Sequence, residues 1–318
     1  MMNGVDIMVT VITDLKDLKT IDEPLHLALG VFDGIHIGHR AVIESAVTAA
    51  KSEGGLSGVL TFDPHPIKVL APHVAPQQIL ASLNHKKELL ADLGVDVMIV
   101  VSFTKEFASR EAIDFLNEVN ENVDNLKTLA IGEDWKFGKA RQGNIALLKE
   151  FGSEHNITIK ALSAVMLEGE RVSSTRIRQS IRDGNLQSAA SMLGREYTVL
   201  GTVIRGRQLG RQLGFPTANL RVYNEQLPCN GVWAVEVTLK NGDIHQGVGN
   251  LGLRPTVEGA EAKRMLEIHL LDFSDDIYDS DMEVRFLKYV RAEQKFASLD
   301  GLKRQIQLDV SEVRKSLG

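Results

Sequence analysis

The sequence predicts an α/β protein in two parts: a parallel sheet flanked by helices, then a β-rich domain closed by a terminal helix. Three observations carry this reading. Over residues 25–165, short apolar runs alternate with amphipathic segments at ~30-residue intervals, the pattern of successive β–α–β units. Beyond Val165 the alternation stops, and from Tyr197 the chain reads as strand after strand. Last, Ala297–Leu317 places Leu302, Ile306, Val310 and Val313 on one helical face. A length of 318 residues accommodates two domains. The boundary is expected within Leu186–Glu196, giving domains 1–186 and 187–318.

Leu25–Val31, Gly58–Phe62, Val97–Phe103, Leu126–Ile131 and Ile157–Val165 are the expected strands of the first part. His39–Lys51, Gln77–Leu93, Arg110–Val119 and Gly143–His155 are the helices expected between them. Ligands of open parallel sheets bind beyond the carboxyl ends of the strands. The loops after Val31, Phe62, Phe103 and Ile131 are therefore where chemistry is expected. Ser173-Ser174-Thr175 reads as a helix N-cap, with Ile177 and Ile181 on one face and Gly184 as the stop. A further short helix is expected to end near Gly194. Tyr197–Ile204, Val232–Lys240, Ile244–Val248, Met265–Leu271 and Met282–Val290 follow as strands, with Asn241-Gly242 as a type I′ hairpin turn.

The net charge is −6, and the acidic excess lies in residues 1–190. No basic stripe is present to neutralise nucleic-acid phosphates, and no polybasic block marks a membrane surface. Cys229 is the one cysteine, which excludes an intrachain disulfide and a cysteine metal cluster. No apolar run approaches the ~20 residues of a membrane span, and no signal-type run is evident. A cytoplasmic protein is expected.

The sharpest motif is GVFDGIHIGH, from Gly30 to His39, at the junction of the first strand and helix. Its glycines let backbone approach a ligand, and the helix start offers free N–H groups to an anion. His36 and His39 are placed to donate to phosphate oxygens and to stabilise charge at a transferred phosphoryl centre. This His-x-Gly-His pattern resembles the signature of adenylyltransferases related to class I tRNA synthetases. A plain polar cap is one alternative. A metal site from His36, His39 and His65 is another, weakened by the lack of a closely spaced carboxylate. Ser173-Ser174-Thr175-Arg176-Ile177-Arg178 supplies hydroxyls, free N–H groups and arginines suited to pyrophosphate, with one arginine facing the site and the other solvent. TFDPHP at Thr61–Pro66 reads as a rigid, non-helical exit from its strand. GEDWKFG at Gly132–Gly138 offers an aromatic face, either for stacking or as core.

In the second part, Gly206, Gly210 and Gly214 recur at four-residue spacing, which suits a flexible phosphate cradle rather than a helix. Thr217 and Asn219 lie two apart in an extended stretch and face one way. Their neutral oxygens suit Mg²⁺ shared with nucleotide phosphates. Alternation along Met265–Leu270 sets Leu266, Ile268 and Leu270 on one face, Glu267 and His269 on the other; Glu267 is either a general base or part of a solvated face. Gly247–Gly252 matches a Gly-x-Gly-x-x-Gly fingerprint, but Pro255 opposes the helix that fingerprint needs.

Together GVFDGIHIGH, TFDPHP, GEDWKFGKARQG, SSTRIR, GRQLGFPTAN, LEIHLLDF and VRAEQKF resemble the prokaryotic bifunctional riboflavin kinase/FAD synthetase family, in that family's order and over nearly the whole chain. The resemblance implies an N-terminal Rossmann-like nucleotidyltransferase domain and a C-terminal six-stranded antiparallel β-barrel. The barrel would phosphorylate riboflavin to FMN with ATP and Mg²⁺. The first domain would transfer AMP from ATP to FMN, giving FAD and pyrophosphate. By motif, Glu267 is implied as the base on the ribityl 5′-hydroxyl. Thr217 and Asn219 would bind Mg²⁺ and ATP beside Gly206, Gly210 and Gly214, and Arg291 would contact flavin. In the first domain the resemblance implies that Gly30, Phe32, Asp33, His36, His39, Ser174, Thr175 and Arg178 hold nucleotide phosphates, while Asp63 and Asp134 line the flavin side. Neither transfer requires a covalent intermediate.

The chain departs from the family pattern at Val31, Trp135, Arg207, Trp233 and Asp279-Ser280, the last lacking a customary glycine. Two alternatives stay open at this point: a flavin- and nucleotide-binding regulator of the same fold, or an adenylyltransferase for another phosphorylated substrate. Riboflavin, FMN and ATP are the expected partners, with no nucleic acid or membrane.

Overall fold

The computed structural model describes residues 9–76, 78–206, 209–223, 225–254 and 263–317. It divides into two compact units, Met1–Ile79 with Leu83–Ser174, and Leu80–Ser82 with Thr175–Gly318.

The first unit runs β1 (Thr10–Ile12), β2 (Leu25–Leu29), α1 (Ile37–Glu53), β3 (Leu56–Asp63), α2 (Pro66–Leu70), α3 (Leu83–Asp92), β4 (Val97–Ser102), α4 (Lys105–Ala108), α5 (Ala112–Glu121), β5 (Leu126–Gly132), α6 (Ile145–His155), β6 (Thr158–Leu162), β7 (Met166–Leu167) and β8 (Glu170–Arg171). Six strands form one parallel sheet in the order β1-β4-β3-β2-β5-β6. The chain builds outward from β2 through β3 and β4, then returns to its other side with β5 and β6. The order therefore reverses between β2 and β5, which is where an open α/β sheet leaves its ligand crevice. Burial explains the apolar runs: every residue of β2 is buried, His26 included. His26 is accommodated by Thr128 Oγ1 at 2.9 Å and the Gly54 carbonyl at 3.2 Å.

Helix α7 (Ser174–Arg182) spans the division between the units. The second unit continues with α8 (Leu186–Leu193), β9 (Thr198–Ile204), α9 (Leu209–Leu213), β10 (Ala218–Val222), β11 (Gly231–Leu239), β12 (Ile244–Arg254), β13 (Lys263–Leu270), β14 (Asp281–Arg291) and α10 (Leu299–Leu317). Its strands close a barrel in the order β10-β13-β12-β11-β14-β9, with every pair antiparallel. Val313 of α10 is buried with Val232, Ala234, Val248 and Leu271, which docks the terminal helix on the barrel wall.

Several expectations are corrected. The helix expected from Gln77 begins at Leu83, and Gln77 itself lies outside the described residues. TFDPHP does not exit without helix: His65 caps α2 and Pro66 takes its first turn, where a missing N–H costs nothing. The glycine-spaced loop contains the short helix α9, which Gly214 terminates at φ 88°. The hairpin at Asn241-Gly242 exists, but only Gly242 takes positive φ. Its N–H bonds the Leu239 carbonyl while Leu239 bonds Asp243, which makes a longer turn than type I′. The strand expected to reach Val165 ends at Leu162, and the small β7–β8 hairpin follows. The sixth barrel strand, β10, is not among the expected strands, although Ala218, Leu220 and Val222 alternate with Asn219 and Arg221 along it. The fingerprint glycines Gly247–Gly252 lie inside β12, not at a helix start.

Candidate active sites

The loop after β2 is shaped by two residues held at positive φ, Phe32 (48°) and Ile35 (41°), with Gly34 between them at 84°. Such conformations cost an ordinary side chain ~1–3 kcal/mol, and burial of the Phe32 ring and the Ile35 side chain holds them in place. Gly30 makes this turn possible: a Cβ there would stand 2.9 Å from the Phe32 ring. Phe32 then meets His39 edge-on at 5.4 Å. His36 caps α1, its Nδ1 accepting the His39 N–H at 3.2 Å, so its ring proton sits on Nε2. The two imidazoles stack at 3.6 Å. Burial holds the His39 pKa well below the ordinary histidine range, with His36, Lys86 and Arg171 acting in the same direction. His39 is thus neutral, and its buried Nδ1 has no hydrogen-bond partner.

Around this loop the structure gathers other expected residues. Asp33 is buried, and its carbonyl accepts the Ser174 hydroxyl at 3.0 Å. Asp63 ends β3, and Asp134 follows β5, where Arg171 of β8 pairs with it. Thr175 and Arg178 fall in the second unit; Arg178 is buried and Thr175 exposed. Trp135 stacks on Phe137 at 4.6 Å and packs against the core, so this aromatic face is largely structural. The departure at Val31 touches no required side chain, because the group used there is its carbonyl. Among the described residues no cluster of three or more His, Cys, Asp and Glu side chains is arranged to hold a metal, which removes the His36–His39–His65 alternative.

One residue here escaped sequence reasoning. Lys86 of α3 is buried, and its Nζ donates to the Val31 carbonyl at 2.9 Å and to Thr61 Oγ1 at 3.1 Å. Burial lowers its pKa to about 8 despite the opposing charges of Asp33 and Asp63. A signal existed: Lys86 lies three residues after Leu83 and four before Leu90, on the apolar face.

In the second unit a cavity of about 620 Å³ is lined by Gly206, Gly210, Thr217, Asn219, Glu267 and Arg291 among others. That volume suits a small-molecule site. Asn219 and Glu267 are register partners across β10 and β13, and Glu267 also faces Asn250 of β12. Leu266, Ile268 and Leu270 are buried on the opposite face, so the alternation holds and its polar side lines the cavity. Gly206 lies against Asn219 so closely that a Cβ would stand 2.3 Å from its amide nitrogen. Gly214 is not part of the lining, and Arg207 lies outside the described residues. Arg291 is anchored to Asp309 of α10 through two hydrogen bonds, 2.8 and 2.6 Å. Asp279 takes φ 59°, which explains a glycine as the usual occupant; aspartate tolerates this conformation better than most side chains.

Thr217 and Asn219 are hard oxygen donors but too few to cage Mg²⁺ alone. They fit that ion when nucleotide phosphates supply the remaining ligands.

Two family models divide the chain: FAD synthetase matches residues 18–176 and riboflavin kinase matches 193–317. The bifunctional riboflavin kinase/FMN adenylyltransferase of Haemophilus influenzae is 38% identical, with 95% of this chain and 97% of that protein covered. The chain belongs to the bifunctional riboflavin kinase/FMN adenylyltransferase family. The Escherichia coli K12 member is also 38% identical, with 92% of each chain covered. A crystal structure described as a macrolide-efflux protein from Streptococcus pneumoniae aligns with TM-score 0.81 and 30% identity, covering 96% of this chain and 99% of that one. Among the described residues no helix is long and apolar enough to cross a membrane. The enzyme is thus a riboflavin kinase and an FMN adenylyltransferase, and the parallel sheet and closed barrel are the folds that carry the two matches.

Proposed function

We propose that the two reactions divide at 186/187, with FMN made on the barrel and FAD on the parallel-sheet domain. The observation carrying the kinase assignment is the opposition of Asn219 and Glu267 beside one cavity. Glu267 takes the proton from the ribityl 5′-hydroxyl as its oxygen attacks the γ-phosphorus of ATP, and ADP leaves with the electrons of the broken bond between Pγ and the bridging oxygen. Thr217 and Asn219 would hold Mg²⁺ together with the ATP phosphates, and the bound ion would supply charge neutralisation on those oxygens. Gly206 and Gly210 let backbone approach the nucleotide, and Arg291, fixed by Asp309, borders the flavin.

In the adenylyltransferase, an FMN phosphate oxygen attacks the α-phosphorus of a second ATP and pyrophosphate leaves with the bonding electrons. Gly30, Phe32 and Asp33 shape the backbone that receives phosphate at the start of α1. His36 donates through Nε2, and neutral His39 donates without adding a charge to the ground state. Ser174, Thr175 and Arg178 serve the departing pyrophosphate, and Asp63 and Asp134 the flavin side. The neutral–acidic charge balance and single cysteine support a cytoplasmic enzyme with no nucleic-acid partner. Product analysis of Glu267→Gln tests the division. Supplied with riboflavin it should accumulate nothing, while FMN should still become FAD; equal loss of both reactions contradicts the assignment.

A further inference from the structure

Lys86 is a buried cation at the carboxyl ends of β2 and β3, where the adenylyltransferase loop begins. Three atoms form a closed triangle there. The Thr61 hydroxyl donates to the Val31 carbonyl at 2.8 Å, and Lys86 Nζ donates to both oxygens. The next residue is Phe32, whose positive φ directs the chain into His36 and α1. The ammonium thus fixes the peptide from which the left-handed turn departs. Burying such a charge is costly, and the Val31 and Thr61 oxygens alone need no cation: a neutral donor would satisfy them.

We propose that Lys86 is a positioning residue for adenylyl transfer, anchoring the Val31 carbonyl to Thr61 and supplying fixed positive charge beside the loop that receives the triphosphate. This rests on the parallel-sheet domain being the adenylyltransferase. Lys86 acts through its neighbours. It sets the loop geometry, and its charge helps to keep His39 neutral. The groups facing this site are Asp33 of the β2–α1 loop, Asp63 of β3, His36 and His39 at the start of α1, and Arg171 of β8. Asp33 and Asp63 hold the proton on Lys86 against burial, and the balance places its titration at about 8. Phosphate bound close by adds negative charge and strengthens that hold.

The test uses the full chain as wild type, Lys86→Met and Lys86→Arg, each assayed for FAD formation from FMN and ATP between pH 6.5 and 9.5. Riboflavin phosphorylation is measured on the same preparations. The wild-type kcat should fall along a one-proton alkaline limb. Lys86→Met should lose about 10²-fold in kcat and lack the limb. Lys86→Arg should recover most of the rate, with the limb moved beyond the measured range. Phosphorylation of riboflavin should be equal in all three. An alkaline limb unchanged in Lys86→Arg, or a wild-type kcat in Lys86→Met, overturns the proposal. A wild-type chain forming no FAD at any pH instead removes the adenylyltransferase assignment on which it rests.

Discussion

Asn219 and Glu267 stand directly opposite one another in the β10–β13 ladder, on the strand face that borders the large cavity of the barrel. The pairing matters because register in a sheet is all or nothing: a one-residue slip would turn both side chains to the opposite face. Leu266 and Ile268, fully buried on that other face, hold the register. The Asn219 amide and the Glu267 carboxylate are thereby kept on one surface by the packing of their neighbours.

Thr217→Ala or Asn219→Ala removes one oxygen donor while leaving Glu267 in place. The Mg²⁺ concentration for half-maximal riboflavin phosphorylation should rise about tenfold, equivalent to ~1.4 kcal/mol. FAD formation from supplied FMN should keep its Mg²⁺ dependence. A Mg²⁺ titration of each reaction checks this, and an unchanged kinase midpoint would contradict the ligand assignment.

His39→Ala should halt the pathway at FMN, lowering FAD formation by at least about 10²-fold. The same substitution should alter acid stability. Below about pH 6.5 the unfolded chain takes a proton that folded His39 resists, so stability is lost as pH falls. Removing the imidazole should therefore shrink the drop in Tm between pH 7.5 and 5.5. An equal drop in both proteins would show that His39 does not titrate this way.

Asp309 is 4% exposed, and it accepts from Arg291 and from Gln305 Nε2 at 2.9 Å. Asp309→Ala strands the Arg291 guanidinium beside the cavity, so the barrel should lose about 3 kcal/mol, read from urea unfolding. The KM for riboflavin should rise as Arg291 loses its fixed direction, with the KM for FMN unchanged.

For Lys86 the sign runs the other way from an ordinary ion pair. Its folded pKa of about 8 lies below the unfolded value, so the folded state binds fewer protons between roughly pH 8 and 10.4. Wild-type stability relative to Lys86→Met should rise across that window, by up to about 3 kcal/mol. Tm values of the two proteins at pH 7.5 and 9.5 check the direction; a difference that stays constant would rule it out.

Much of this was legible from residue pattern alone. Strand-length apolar runs located five strands of the parallel sheet, four of them because they are buried along most of their length, while the edge strand β6 is only half-buried. The spacing of His36 and His39 after Gly30 marked the strand-to-helix turn where both residues sit. What stayed hidden depends on depth rather than pattern. Lys86 lies on the apolar face of its helix with Leu83 and Leu90, and Asp309 with Ile306 and Val313, but only the tertiary fold shows how deeply each is buried and what pairs with it. Strand β10 does alternate, Ala218, Leu220 and Val222 against Asn219 and Arg221, but with five residues directly after the glycine-spaced segment it reads as the extended end of that loop. Helix α2 is hidden by Pro66, which reads as a helix breaker although the first helical turn accepts it.

Two sites working in sequence are tested most directly by the order of products when the enzyme is given riboflavin, ATP and MgCl₂ and sampled over time by HPLC. FMN should appear first, without a lag, and FAD only as FMN accumulates. FAD appearing with no FMN-dependent lag, or FMN persisting unconverted with ATP in excess, would contradict two sites working in sequence.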